Sequence, residues 1–239
     1  MKKRIWELDA LRGVCIVGMI CVHLLFDLWA LFGILDLSRA PVFDLFLKWG
    51  GVPFLLISGI CVTFSARSVK RGALVFFFGM VCSLVTAGIY LLSFTGKSIL
   101  IYFGVLHCLG ACMMLWPLFR KLPTWFLAIA GIFLIALGLY FTDHVRTDTM
   151  WLLPFGILPR SFASSDYFPL LPNLGYFLLG AVLGKTIYAK RQSVFPRINT
   201  DFFLIRFFSF IGRHSLLIYL VHQPLLAGGI LLMRLLLNC

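Results

Sequence analysis

The sequence predicts an all-α integral membrane protein: a bundle of about seven transmembrane helices, N-terminus cytoplasmic and C-terminus external. Three observations carry that expectation. First, 61% of the 239 residues are hydrophobic and only 13% are charged, with mean hydropathy +1.00. Soluble domains carry about 25% charged residues, so lipid is the natural solvent for this chain. Second, the apolar residues come in long runs, and a spanning helix takes roughly 20 of them. Third, the net charge of +12 sits in short basic clusters between those runs, the positive-inside pattern, which argues against nucleic acid as a partner.

At the start of the chain, Lys2-Lys3-Arg4 is basic, but Glu7, Asp9 and Arg12 interrupt what would be the core of a signal peptide, and no small-residue cleavage site follows. The first helix is therefore expected to be retained. Apolar runs between breakers place helix one over Ala10–Leu35, helix two over Val42–Phe64 and helix three over Gly72–Phe94. Helix four covers Ile99–Leu118, helix five Trp125–Phe141 and helix six Leu170–Tyr188. The last run, Phe202–Leu237, exceeds one span, so Phe202–Phe210 is read as interfacial, with a span starting near Ser215. The whole chain, 1–239, is read as a single domain.

Basic clusters precede helix one and fall between helices two and three, four and five, and six and seven (Arg67-Lys70-Arg71, Arg120-Lys121, and Lys185 through Arg206). Alternating helices put all of them on one side; the other side holds Arg39, Lys48, Lys97, Arg146, Arg160 and Arg234. The longest external segment, Thr142–Pro169, carries Asp143, His144, Arg146, Asp148, Arg160 and Asp166. Long ordered loops in small proteins are often functional, though solvation accounts equally for such polarity. Gly180 and Gly184 form a GxxxG motif, read as helix packing. Cys15, Cys21, Cys61, Cys82, Cys108 and Cys112 lie in apolar runs without a CxxC pair, which argues against a zinc or disulfide framework; no metal is expected.

Ionisable groups at membrane depth are costly and by default mark function. His23 lies about 20 Å along helix one from Asp9, at 1.5 Å per residue, and Asp27 follows at i+4 on the same face. A carboxylate there can orient an imidazole and stabilise its protonated form, the arrangement of a general base. An interhelical or capping hydrogen bond is the bland alternative. His107 lies near the centre of helix four and His222 well inside helix seven, followed by Gln223 and Pro224. Pro224 offers no N–H to the carbonyl one turn back, and irregular backbone is tolerated where it lines a polar cavity. A lone buried histidine is usually a packing residue; three at overlapping depths point to a shared polar cavity. At the cytoplasmic end, Arg12, Arg67, Arg71, Arg120, Arg213 and His214 suit a phosphate-rich ligand, although most of them are expected from topology alone.

Four segments in order carry a family resemblance. They are Trp6-Glu7-Leu8-Asp9-Ala10-Leu11-Arg12-Gly13 with His23 and Asp27; Gly104 to Gly110, which contains His107; Asp166 to Pro172 with Leu174, Gly175 and Gly180; and Gly212 to Pro224, which contains His222. Together they resemble bacterial members of the heparan-alpha-glucosaminide N-acetyltransferase catalytic-domain family, within the transmembrane acyltransferase superfamily. The resemblance implies transfer of an acetyl group from cytosolic acetyl-CoA to an amine or hydroxyl of an extracytoplasmic sugar or glycan, in the inner membrane of a bacterium. His23 would be the base, Asp27 its orienter, and His107 and His222 polar partners. Arg12, Arg71, Arg213 and His214 would contact CoA phosphates. Other partners on this reading are membrane lipid and a second copy of the chain. In eukaryotic members the histidine proposed to accept the acetyl group lies beyond the first helix, whereas Leu24 to Phe103 contains no histidine here; direct transfer is the simpler expectation. A transporter or proton-coupled carrier, with the histidines as relays, is the competing reading.

Overall fold

The computed structural model describes residues 4–31, 33–37, 40–93, 99–160 and 162–237. Lys2, Lys3, Arg39 and Lys97 lie outside the described residues, as does the side chain of Arg234. The chain is mostly helical, and among the described residues four helices are long and apolar enough to cross a membrane, or up to five if one bent pair counts as a span. Its contacts group into two compact units, one from residues up to Phe54 together with those from Phe195 onward, the other Leu55–Val194.

The first unit is built on α1 (Trp6–Phe26), which leads into a π-turn at Asp27–Leu31 and then α2 (Pro41–Trp49). The first helix thus starts earlier than its apolar run and loses α-geometry at Asp27. The unit closes with α8 (Phe203–Arg213) and α9 (Ser215–Leu237), whose axes differ by 85°. The break falls at His214, between the segment expected at the interface and the expected span.

Glycines decide how α8 meets α1. A Cβ built on Gly212 would collide with the Asp9 carbonyl, and one on Gly13 would collide with the Phe208 carbonyl. Each helix therefore presents a glycine to the other's backbone, the close approach that small residues permit in apolar surroundings. Gly13, Ser209 and Gly212 are buried at this crossing.

The second unit contains most of α3 (Gly51–Val62), then α4 (Ser68–Ser93), α5 (Val105–Phe119), α6 (Thr124–His144) and α7 (Leu170–Thr186). Helix two of the sequence reading is met by one candidate span, Pro41–Val62, formed by α2 and α3 with Gly50 in helical geometry between them, and helix four begins at Val105 rather than Ile99. Gly180 and Gly184 do pack: their missing side chains admit the Leu56 and Ile60 carbonyls of α3.

The segment between α6 and α7 is folded. Strands β1 (Arg146–Thr147) and β2 (Leu158–Pro159) pair in parallel around a short 3-10 turn at Leu153–Phe155. Residues 164–168 then run beside 99–103, with Phe168 N–H donating to the Phe103 carbonyl (2.9 Å) and Ser165 N–H to the Leu100 carbonyl (3.2 Å). Asp166 Oδ2 accepts from the Val105 N–H (3.1 Å) at the start of α5, where a carboxylate satisfies an orphan donor and the helix dipole together. At the other end of α5, Lys185 Nζ donates to the Arg120 and Leu122 carbonyls (2.8 Å each).

Candidate active site

The first unit brings two of the expected histidines together. His23, one turn from the end of α1, places its Nδ1 2.8 Å from Nε2 of His222 on α9. The rings are tilted by 37° with centroids 4.9 Å apart. His222 is buried, and its Nδ1 faces the Tyr219 carbonyl one turn back on α9.

That carbonyl settles the protons. A carbonyl oxygen only accepts, so His222 Nδ1 carries hydrogen and donates it. In a neutral ring the other nitrogen, Nε2, is then an acceptor. It can pair with His23 Nδ1 only if that atom carries hydrogen. His23 is left with a bare lone pair on Nε2, the state a proton acceptor needs. A single backbone carbonyl thus fixes two tautomers in series.

Asp27 has a different neighbour from the one expected. Its carboxylate is fully buried, and both oxygens accept from Gln223 Nε2 (2.9 and 3.0 Å). No hydrogen bond joins it to the His23 ring among the described residues. Orientation of His23 by Asp27 is therefore indirect at most, while His222 makes the direct contact. The i+4 spacing puts both groups on one face of α1, but Asp27 also opens the π-turn, and its backbone N–H bonds the His23 and Leu24 carbonyls. Two consecutive residues of α9, His222 and Gln223, serve His23 and Asp27. Gln223 also interacts through its side chain with His23, and its buried Oε1 has no closer hydrogen-bond partner among the described residues. Sequence reasoning did not assign Gln223 a role; its polar amide beside a buried histidine at membrane depth was the available signal.

His107 belongs to the second unit, on the first turn of α5, and its Nε2 is buried with no hydrogen-bond partner among the described residues. Its Nδ1 accepts from the Gly104 N–H (3.2 Å) in the first turn of α5, so Nε2 bears the hydrogen. The ring stacks on Phe103 (centroids 5.5 Å) and meets Phe76 edge-on (5.2 Å, 87°). A Cβ on Gly79 would lie 3.0 Å from it, so the glycine makes room for the imidazole.

Of the residues expected to hold phosphates, Arg12, Arg213 and His214 fall in the first unit, and Arg71 is exposed on the first turn of α4 in the second. Arg12 and Arg213 both act on the Asp9 carboxylate, together with Arg4, whose Nη1 lies 3.9 Å from it. Arg213 Nε donates to the Ser209 carbonyl (3.0 Å), and His214 Nδ1 to the Phe210 carbonyl (2.9 Å). Arg213 is exposed, and a guanidinium at the surface is the fork that binds phosphate.

A family model described as heparan-alpha-glucosaminide N-acetyltransferase, catalytic, matches residues 4–224. The chain belongs to that family. The match runs through both units and spans α1 and its His23, α5 and its His107, and α9 as far as Pro224. No curated protein and no solved structure matches the chain. As a member of the heparan-alpha-glucosaminide N-acetyltransferase family with several apolar helices of spanning length, it is an integral membrane transferase.

Proposed function

We propose that the chain transfers acetyl from acetyl-CoA to an amine or hydroxyl of an extracytoplasmic sugar or glycan, with His23 as the general base. The observation that carries this reading is the run of contacts from His23 through His222 to the Tyr219 carbonyl, which in neutral rings puts the hydrogen on His23 Nδ1 and the lone pair on Nε2. When the acceptor's nitrogen or oxygen attacks the acetyl carbonyl, His23 Nε2 takes its proton. The new C–N or C–O bond forms while the C–S bond breaks, its electron pair leaving on sulfur. His23 then returns the proton to the thiolate, and the cycle closes with no acetyl-enzyme. Throughout, Nδ1–H stays on His222, which supports the transient imidazolium.

Acetyl-CoA supplies an activated thioester, and the basic residues Arg12, Arg213 and His214 are chemically suited to its phosphates; Arg71 is assigned with them on sequence grounds. Asp27 acts through Gln223, anchoring the residue that follows His222. About seven crossings, a cytoplasmic N-terminus, an external C-terminus and the inner membrane of a bacterium belong to the same reading.

The test is release of free thiol from acetyl-CoA by the purified protein in proteoliposomes supplied with an amino sugar or glycan acceptor. Thiol release together with loading of radiolabelled acetyl onto the acceptor is expected. His23→Ala should lower both by about 10²- to 10⁴-fold, the usual worth of a general base, with the fold intact. Transport of the acceptor without thiol release would replace the enzyme by a carrier. Wild-type rates in the His23→Ala protein would remove the base.

A further inference from the structure

If α9 crosses the membrane, the 85° break at His214 lays α8 in the plane of the membrane surface. The helix has two faces. Ile205, Phe208, Ser209 and Gly212 follow i, i+3, i+4, i+7 spacing; Gly212 and the Phe208 backbone meet α1 directly. Phe203, Phe207 and Phe210 are exposed on the other side, Phe203 stacked on Phe207 (centroids 6.1 Å), and Arg206, also exposed, lies on the flank between the two faces. Phenylalanines mixed with arginine on an in-plane helix are the composition of an interfacial element.

Between α1 and this segment lies a cavity of about 450 Å³, within the size range of ligand sites. Glu7, Ala10 and Val14 of α1 form one wall, with Glu7 buried, and Ile198, Phe202 and Ile205 the other. Its accessible lining is apolar throughout. Arg197 and Arg206 alternate along the chain with the lining residues; both are exposed and neither is in an ion pair among the described residues.

We propose that this groove holds one acyl chain of an anionic phospholipid, whose phosphate is taken by Arg197 and Arg206. The chemistry selects that occupant. An acyl chain asks for nothing but apolar contact. A pantetheine arm or a peptide would bring amides against a wall whose only charged residue, Glu7, exposes no polar surface to the groove, which is costly. A second copy of the chain would set these arginines against its own basic surface, and like charges oppose docking. A zwitterionic lipid carries a cation beside its phosphate, whereas an anionic one leaves its charge for the arginines.

Native mass spectrometry of the full chain, extracted from membranes containing equal phosphatidylglycerol and phosphatidylcholine, tests this. One retained lipid is expected, with phosphatidylglycerol favoured by roughly tenfold or more. The Arg197→Gln/Arg206→Gln protein should retain a lipid but lose the preference. Ala10→Phe, which fills the groove, should reduce retention of both lipids. Should that variant fail to fold, Ile198→Ser, which makes the loop wall polar, should do the same. Equal retention of the two lipids by the wild type would overturn the proposal, as would an unchanged preference in the double arginine variant. One-for-one displacement of the lipid by CoA would overturn it in favour of a donor subsite.

Discussion

His23 Nδ1 and His222 Nε2 stand 2.8 Å apart, although 199 residues separate them in the chain. Neither ring could take its proton arrangement alone. The Tyr219 carbonyl forces His222, and His222 in turn forces His23.

His222 is thus a positioning residue, and its removal should differ in kind from removal of the base. His222→Phe keeps the volume but withdraws the acceptor from the His23 Nδ1–H. A donor left unpaired costs about 1–3 kcal/mol, so kcat should fall by roughly 10- to 100-fold, with KM for acetyl-CoA unchanged. Steady-state kinetics in proteoliposomes would show it. An unaltered kcat would mean the pair is only structural, and a loss equal to that of His23→Ala would make His222 the base.

Asp27 and Gln223 make a second, separable prediction. Gln223→Leu leaves a fully buried carboxylate without its donor, and hydrogen bonds to charged groups are worth about 1.5–3 kcal/mol. Thermal unfolding in detergent should register a loss of that order. Asp27→Leu combined with Gln223→Leu should recover part of it, because both partners become apolar together. A double variant less stable than the sum of the two singles would refute the pairing.

The α1–α8 crossing can be tested through its glycines. Gly212→Ala drives a methyl into the Asp9 carbonyl, and overpacking of this kind costs about 1–3 kcal/mol. Gly18, also on α1, has open space where a Cβ would go. Gly18→Ala should therefore be neutral, or stabilising by about 0.5–1 kcal/mol through helix propensity. Equal melting temperatures for the two variants would contradict the crossing.

A pH dependence follows from Tyr167 in the segment between α6 and α7. Burial, then the neighbouring Cys108, push its phenol above the ordinary tyrosine value, and the hydroxyl donates to the Leu153 carbonyl (2.6 Å). The folded state therefore holds this proton more tightly than the unfolded state does. Stability from the group is complete below about pH 10, the unperturbed value, and is lost as pH rises beyond it. Hydrogen exchange of residues 153–168 should speed up above that pH in the wild type. Tyr167→Phe should show the faster exchange already at neutral pH, with a weaker alkaline dependence; identical alkaline profiles would reject the assignment.

Much of the helical layout was legible because apolar runs and basic clusters respond to the same solvent, lipid. The break near Ser215 showed as a run too long for one span, and the GxxxG of α7 as a packing surface. Position along a helix could also be read, so His23 and Asp27 were correctly set a turn apart. Partner choice was not legible. The Gln223–Asp27 bond and the His23–His222 bond each join residues nearly 200 apart, and spacing carries no information at that range. The one contact of this kind that is local, from the Gly104 N–H to His107 Nδ1, joins residues three apart.

The right-angled turn at His214 has a mechanical consequence. α8 is pinned to α1 near Gly13, and α9 returns to α1 at His23, ten residues or about 15 Å farther along that helix. Three stiff rods joined at three corners form a triangle, and a triangle cannot shear without bending a side. The distance between the two imidazoles is therefore set as much by backbone contacts at a far corner as by anything beside the rings. A small substitution at Gly13 or Gly212 should reach the base as a displacement, with no atom near it changed.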